Sequence, residues 1–213
     1  MNLTRTLVGA VAAAGLVVAG GVAGVAPAGA TPTATDKTNI SLKKDTVAEF
    51  VDAGVTMTAI NPAKRNGTKL MFPVEAFGTT YLDMSGGLSF SGPSKATMVF
   101  TAPIMSWRKS SKTGTMTFNT AALGRVALIN VKYIKQQIVD VKIDKSHARW
   151  IKRTTYQITG TMNFTSRSST LNYINDRLGT DMFEPGLGLG RFKSVVVDEE
   201  VCAVNNYQRC MNQ

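Results

Sequence analysis

ALINVKYIKQQIVDVKID, residues 127–144, is the stretch that decides the fold. Its first half places apolar or aromatic residues at every second position, at Ala127, Ile129, Val131 and Tyr133. In its second half, valine or isoleucine at positions 139, 141 and 143 alternates with charged residues. Because successive side chains of an extended chain point to opposite faces, this period of two predicts β-strands, the second of them half-buried.

Similar alternation recurs on both sides of this stretch, at Leu88 and Phe90, at Met98 and Phe100, and at Met116 and Phe118. Arg149–Phe164 is rich in Thr, Tyr and Ile and predicts one long strand, or two strands with a bend near Gly160. Three valines at 195–197 predict a last core strand. Turn signals of Gly, Pro and Asn separate these segments at short intervals, which is typical of antiparallel architectures. We therefore predict a mainly β fold, a single β-sandwich-like or partly open barrel domain.

Two short helices are expected to interrupt the strands. Asp45 can cap the first, whose apolar face would hold Val47, Phe50 and Val51 and which would stop at Gly54. Ser168 or Ser169 can cap the second, which would direct Leu171, Ile174 and Leu178 inward and stop at Gly179.

Residues 1–30 have the features of a secretory signal peptide. Arg5 precedes an uncharged run rich in Ala, Gly and Val that ends in the cleavage-type sequence Ala28-Gly29-Ala30. No cluster of Lys or Arg follows as a stop-transfer signal, so we expect cleavage and no transmembrane anchor. The predicted organisation is a signal peptide (1–30), a flexible leader (31–38) and one domain (39–213) that is secreted or associated with the cell wall.

The chain carries a net charge of +10, and its excess of positive charge is concentrated in the middle. Residues 107–153 contain 11 Lys and Arg against 2 Asp, whereas residues 31–106 and 154–213 are close to neutral. Such a field attracts polyanions. The alternative is that the charge only keeps an exported protein soluble.

The two cysteines, Cys202 and Cys210, lie close together near the C-terminus. In an oxidising compartment such a pair is expected to form a disulfide, which here would close a short loop and staple the tail.

Several further segments resemble a family of secreted actinobacterial β-rich proteins of unassigned function, which is distantly similar to HtaA-type domains. The segments that carry the resemblance are 40–55, 61–63, 72–74, 85–90, 158–164, 171–172 and 183–190. HtaA-type domains are β-rich, secreted and haem-binding, and they bind haem through a Tyr–His arrangement. The resemblance therefore implies haem as an alternative ligand, with His147, the single histidine, as its possible ligand.

No pattern in the chain indicates an enzyme. A catalytic triad would have to use His147, there is no nucleophile-elbow motif, and the cysteine and histidine spacing does not suit zinc. Glycines 186, 188 and 190 lie between Pro185 and a strand-like segment, so they indicate a turn rather than a phosphate loop. We expect no catalytic residue, no metal and no resident cofactor.

The remaining signal is tryptophan beside cations at both ends of the basic segment. An exposed indole next to Lys or Arg suits a glycan, a lipid interface or a stacked base; the alternative is that both indoles belong to the core.

The sequence therefore predicts a non-enzymatic binding protein with a basic face for an anionic partner: a wall polymer, a lipid or an acidic protein, but not intracellular nucleic acid. A second alternative is an interaction protein, such as an assembly subunit or inhibitor that docks through a strand edge. The candidate binding residues are Trp107, Arg108, Lys109, Lys132, Lys135, Lys142, Lys145, Arg149, Trp150, Lys152 and Arg153.

Overall fold

The structure, a computed structural model, describes residues 36–146 and 149–203. This part of the chain contains eleven strands and two helices. The strands are β1 (Lys37–Leu42), β2 (Thr56–Ile60), β3 (Lys64–Asn66), β4 (Lys69–Gly78), β5 (Tyr81–Met84), β6 (Gly87–Ser91), β7 (Thr97–Arg108), β8 (Thr113–Thr120), β9 (Gly124–Ser146), β10 (Arg149–Phe164) and β11 (Gly188–Ala203). The helices are α1 (Lys44–Asp52) and α2 (Ser168–Leu178).

Eight of the described strands close into a ring. Hydrogen-bonded neighbours run β7-β5-β4-β1-β11-β10-β9-β8, and β8 pairs again with β7. β6 pairs with the first part of β7 and carries β2 on its other edge, and β3 pairs with β4. All pairings are antiparallel, and the buried side chains of the ring form one core. The predicted mainly β, sandwich-like class is thereby confirmed.

Three strands continue beyond the ring. β8 pairs with β9 only as far as Val131, and β1 pairs with β11 only as far as Val195. β10, in contrast, stays paired with β9 and β11 along almost its whole length. We call the projecting part, residues 136–146, 149–157 and 197–203, the arm.

Phenylalanine rings fill the centre of the core. Phe183, in the segment after α2, contacts Phe50 of α1, Phe90 of β6 and Phe164 of β10, with ring centroids 5.7, 5.4 and 5.2 Å away. Such tilted and edge-to-face contacts add about 0.5–1.5 kcal/mol per pair beyond the burial of apolar area. The cluster thus ties both helical regions to the strands.

The second helix follows the prediction. Leu171, Ile174 and Leu178 are fully buried, and the helix ends at Gly179, whose φ of 69° is left-handed. The N-cap position is Arg167, without a side-chain capping bond, so Ser168 is the first helical residue and not the cap.

The predicted face of α1 is only partly correct. Phe50 is 3% exposed, but Val51 is 69% exposed, so its placement in the core was wrong. Thr46, one turn before Phe50, occupies the inner face instead, and its hydroxyl donates to the carbonyl of Gly188 at 2.7 Å. Residues one apart lie about 100° apart around a helix, which separates Phe50 from Val51. Asp45 lies in the first turn and is not the cap.

The first strand begins before the predicted start of the domain. β1 starts at Lys37, inside the predicted flexible leader, because Asp36 and Thr38 are buried. The Asp36 carboxylate accepts a hydrogen bond from the backbone of Val197 at 3.2 Å, and Thr38 shares one with Ser194 at 2.8 Å.

The stretch 127–144 belongs to one strand, β9, with a bulge in its middle. Ile129 and Val131 are buried as predicted, but Tyr133 is 74% exposed. Lys132 pairs with Thr161 and Lys135 with Thr159, so two β9 residues oppose the single residue Gly160. This bulge turns Tyr133 outward, with a φ of 54°.

Candidate binding site

A groove lies between the turn of the β7–β8 hairpin and the base of the arm; we call it the hairpin groove. The backbone NH of Ile134 donates to the carbonyl of Lys112 at 3.1 Å, which fixes the hairpin against β9. The groove has a volume of about 620 Å³, within the range of small-molecule sites. Its lining residues are Trp107, Arg108, Lys109, Lys112, Ile134, Lys135, Gln136, Gln137, Ile138 and Tyr156.

The hairpin groove combines an apolar floor with a basic rim. Trp107 is only 7% exposed, so the indole is part of the core and meets the groove at its margin. Four cationic side chains and no carboxylate line the groove: Arg108, Lys109, Lys112 and Lys135. A lining of this composition favours an acidic ligand that also carries an apolar body.

Tyr156 lies where the ring meets the arm. It is half-buried, packs against Phe77 with ring centroids 6.5 Å apart, and lines the hairpin groove. Burial raises the pKa of the Tyr156 phenol, and the nearby carboxylates of Asp198 and Glu200 raise it further. The groove therefore holds Tyr156 as a neutral phenol, which can donate a hydrogen bond to an anion.

The structure brings only some of the predicted basic residues to the hairpin groove. Arg108, Lys109 and Lys135 line it, whereas Lys132 points to the outer surface of the ring, beside Tyr81 and Ser106.

The predicted cations of the arm lie among carboxylates. Arg153 donates from Nε to Glu199 at 2.6 Å and lies 3.8 Å from Asp144, and Lys142 lies 3.4 Å from Asp140. The hydrogen bond from Arg153 to Glu199, with the charge of that carboxylate, raises the pKa of the Arg153 guanidinium. All three of these ion pairs belong to the arm.

The inner face of the arm holds the other predicted tryptophan. Lys145 Nζ lies 4.9 Å from the ring centroid of Trp150, a cation–π contact. Trp150 is opposite Cys202 in register, and Lys152 is opposite Glu200. Arg153 and Lys152 thus lie opposite carboxylates of β11. The candidate basic residues are divided between the hairpin groove, the outer surface of the ring and the arm.

Three sequence-predicted sites fall at the edge of the described chain. His147 and Cys210 lie outside the described residues, so a histidine ligand for haem and the Cys202–Cys210 disulfide stay predictions. Cys202 itself is buried. Arg149 belongs to β10 by its backbone pairing with Ser146 and Ala203.

The interior of the ring is packed. The cavity among apolar side chains such as Leu70, Phe118 and Met162 has a volume of about 20 Å³, room for about one water molecule. A ligand of ordinary size must therefore bind on the outside of the ring.

Two further observations concern the described residues alone. No three of their His, Cys, Asp and Glu side chains converge as a set of metal ligands. None of their helices has the length and apolar character that crossing a membrane requires.

Sequence reasoning missed Lys112, Ile134, Ile138 and Tyr156 as lining residues. Lys112 follows Arg108 and Lys109 in the same turn, so the basic run 108–112 was the available signal. Nothing local marks Tyr156, because only the pairing of β10 with β9 brings it beside Ile138.

The chain is similar to solved structures of two proteins from Corynebacterium glutamicum. The C-terminal domain of HtaA from Corynebacterium glutamicum is 13% identical, with a TM-score of 0.49 over 79% of this chain and 98% of that domain. The heme binding protein HtaB from the same organism is 12% identical, with a TM-score of 0.48 over 82% of this chain and 96% of that protein. The predicted distant similarity to HtaA-type domains is confirmed. No protein-family model matches the chain, and no curated protein sequence is similar to it.

Proposed function

We propose that this protein is an exported, non-enzymatic binding module that holds an anionic partner in the hairpin groove. The observation that carries the proposal is the lining of that groove, in which four cations surround an apolar floor without a carboxylate. Export rests on the signal-peptide features of residues 1–30.

The composition of the groove favours one kind of anionic partner. A ligand that joins an acidic group to an apolar body, as an anionic lipid does, can lay its apolar part on Ile138, the most exposed apolar residue of the lining. Its acidic group then meets Arg108 and Lys112, while the Tyr156 phenol donates a hydrogen bond. Burying such a body removes apolar area from water, and the cations determine its orientation.

The test uses an anilinonaphthalene sulfonate dye, which is anionic and apolar, and its uncharged analogue without the sulfonate. The double variant Arg108→Glu/Lys112→Glu should lower the affinity for the sulfonate dye about tenfold and leave the affinity for the neutral dye nearly unchanged. The matched control Lys44→Glu/Lys64→Glu carries the same change in net charge at two exposed positions that do not line the groove. Equal losses in both double variants would contradict a localised site.

Haem is a second candidate, favoured by the position of Tyr156. The groove offers a phenol for the iron and cations for the propionates, and its volume lies in the range of cofactor sites. Because the pKa of Tyr156 is raised, binding through the phenolate should strengthen as the pH rises. Titration with haem should give a Soret band that Tyr156→Phe weakens, and His147→Ala tests the ligand that the resemblance implies. A Soret band that neither substitution alters would exclude both ligands.

A further inference from the structure

A second groove lies on the outer surface of the ring, around the exposed ring of Tyr133. We call it the outer groove; it spans strands β4, β1, β11, β10 and β9 and has a volume of about 580 Å³. An adjacent depression of about 470 Å³ shares Ser41, Thr161 and Arg191 with it, so the two form one elongated strip.

The register of the sheet arranges the polar side chains of this strip in rows. One row runs across five strands as Lys69, Ser41, Arg191 and Thr161, which line the strip, and then Lys132, which extends the row beyond this lining; each residue is directly opposite the next. At about 4.8 Å between neighbouring strands, this row is about 19 Å long. The length suits an extended chain better than a single ion.

A second row lies two residues further along the same strands. It runs as Asn39, Lys193, Thr159 and Lys135. Within each row, cations therefore alternate with hydroxyl or amide groups. That spacing matches a polymer that carries hydroxyls between its acidic groups.

The cations of the outer groove differ from those of the arm. Within residues 36–146 and 149–203, none of Lys69, Lys135, Arg191 and Lys193 forms an ion pair, and the groove lining contains no carboxylate. Part of the unbalanced charge of the described chain is thus displayed here, on a surface that the basic segment alone did not predict.

Tyr133 gives this surface an aromatic platform that the fold holds under strain. A φ of 54° is unfavourable for a bulky residue, and the side chain is 74% exposed, so core packing does not account for the tyrosine. Gly160 opposite is required by the bulge, since a Cβ there would lie 2.6 Å from Phe192 and 2.9 Å from the carbonyl of Lys132. The ring of Tyr133 lines the groove above Gly160 and Phe192.

We propose that the outer groove binds an extended acidic glycan, with a sugar ring on Tyr133 and its acidic groups on Lys69, Arg191 and Lys193. A glycan is favoured over a single-stranded nucleic acid because the strip has one exposed aromatic ring, whereas base stacking uses several in succession. The site is separate from the hairpin groove except for Lys135, which borders both.

The test is calorimetric titration of the full mature chain with an oligogalacturonate, a sugar-free polyphosphate and a single-stranded oligonucleotide at one salt concentration. Oligogalacturonate should bind tightest. Tyr133→Gly, which relieves the strained φ and removes the ring, should keep the thermal transition and weaken oligogalacturonate binding about fivefold, without altering polyphosphate binding. Lys69→Glu/Arg191→Glu should weaken both anions strongly, whereas Lys44→Glu/Lys64→Glu should change neither by more than about twofold.

The outcomes separate this site from the proposed function. Arg108→Glu/Lys112→Glu should leave oligogalacturonate binding intact even where it abolishes dye binding, and failure of the hairpin groove leaves this prediction standing. The proposal is overturned if oligogalacturonate does not bind, if polyphosphate or the oligonucleotide binds more tightly, or if Tyr133→Gly binds like the unaltered chain.

Discussion

The ring and the arm share three long strands, β9, β10 and β11, yet they are stabilised in different ways. In the ring, side chains such as Phe90 and Phe183 pack against one another out of contact with water. In the arm, Ile138 and Val201 are 57% and 61% exposed, and ion pairs cross the strands. The difference teaches that pairing alone extends a sheet, while closure around a core gives it most of its stability.

The largest expected difference in stability between the ring and the arm comes from removing an aromatic side chain from the core. Phe183→Ala should destabilise the fold by about 3–5 kcal/mol, since it leaves a cavity among three phenylalanines. Ile138→Ala in the arm should change stability by no more than about 0.5 kcal/mol. Denaturant unfolding of both variants measures the contrast, and similar losses would show that the arm is part of the same cooperative core.

Two glycines, one in close contact with a neighbouring strand and one in open space, offer a second contrast. A Cβ at Gly87 of β6, which pairs with the ring strand β7, would lie 2.2 Å from the carbonyl of Phe100, whereas at Gly124 nothing lies within 4 Å. Gly87→Ala should therefore cost about 1–3 kcal/mol or more, while Gly124→Ala should cost about 1 kcal/mol, because its φ of 65° disfavours a side chain. Melting temperatures of the two variants decide the order.

At the border between the ring and the arm, two adjacent residues should respond differently to substitution. Tyr133→Gly should leave stability unchanged or raise it by up to about 1 kcal/mol, because relief of the left-handed φ offsets the added entropy of the unfolded chain. Ile134→Ala, at a position that is 5% exposed, should cost about 2–4 kcal/mol. A large loss of stability in Tyr133→Gly would mean that the exposed tyrosine side chain contributes to the stability of the fold.

The smallest effect concerns the acidic edge of the arm. Burial raises the pKa of Asp198, the charge of Glu200 raises it further, and Lys152 opposes both. The folded chain therefore binds more protons than the unfolded chain between the usual pKa of Asp and the raised one, and stability falls as the pH rises through that interval. Asp198→Asn should flatten this dependence and slightly stabilise the arm at neutral pH, as measured by unfolding at several pH values. Glu199→Gln, which removes a partner of Arg153, is the contrasting variant and should not stabilise it.

Local patterns were sufficient for the elements that obey one period throughout. The inward face of α2 and the extent of β10 follow from residues that are near in sequence. A repeat of 3.6 or two residues is visible within the element itself and does not depend on distant residues. The period failed at Tyr133, where an inserted residue reverses the alternation, and at Val51, which lies just beside the buried face of its helix.

The candidate sites were predictable only in part. The basic turn that holds Arg108 and Lys109 was visible in the sequence, and it does border a groove. The partners that decide which cations stay available were not visible, because Arg153 meets Glu199 46 residues away along the chain. Lys69 and Arg191 join one row only because β1 pairs with both β4 and β11.

By itself, the sequence determined the class of secondary structure, the apolar residues of most strands and an excess of positive charge, since these depend on composition and local period. The tertiary structure alone decided which strands close the ring, where the bulge turns Tyr133 outward and which cations are balanced by carboxylates. The physical reason is that strand pairing is non-local: it brings together residues whose spacing along the chain carries no signal of their meeting.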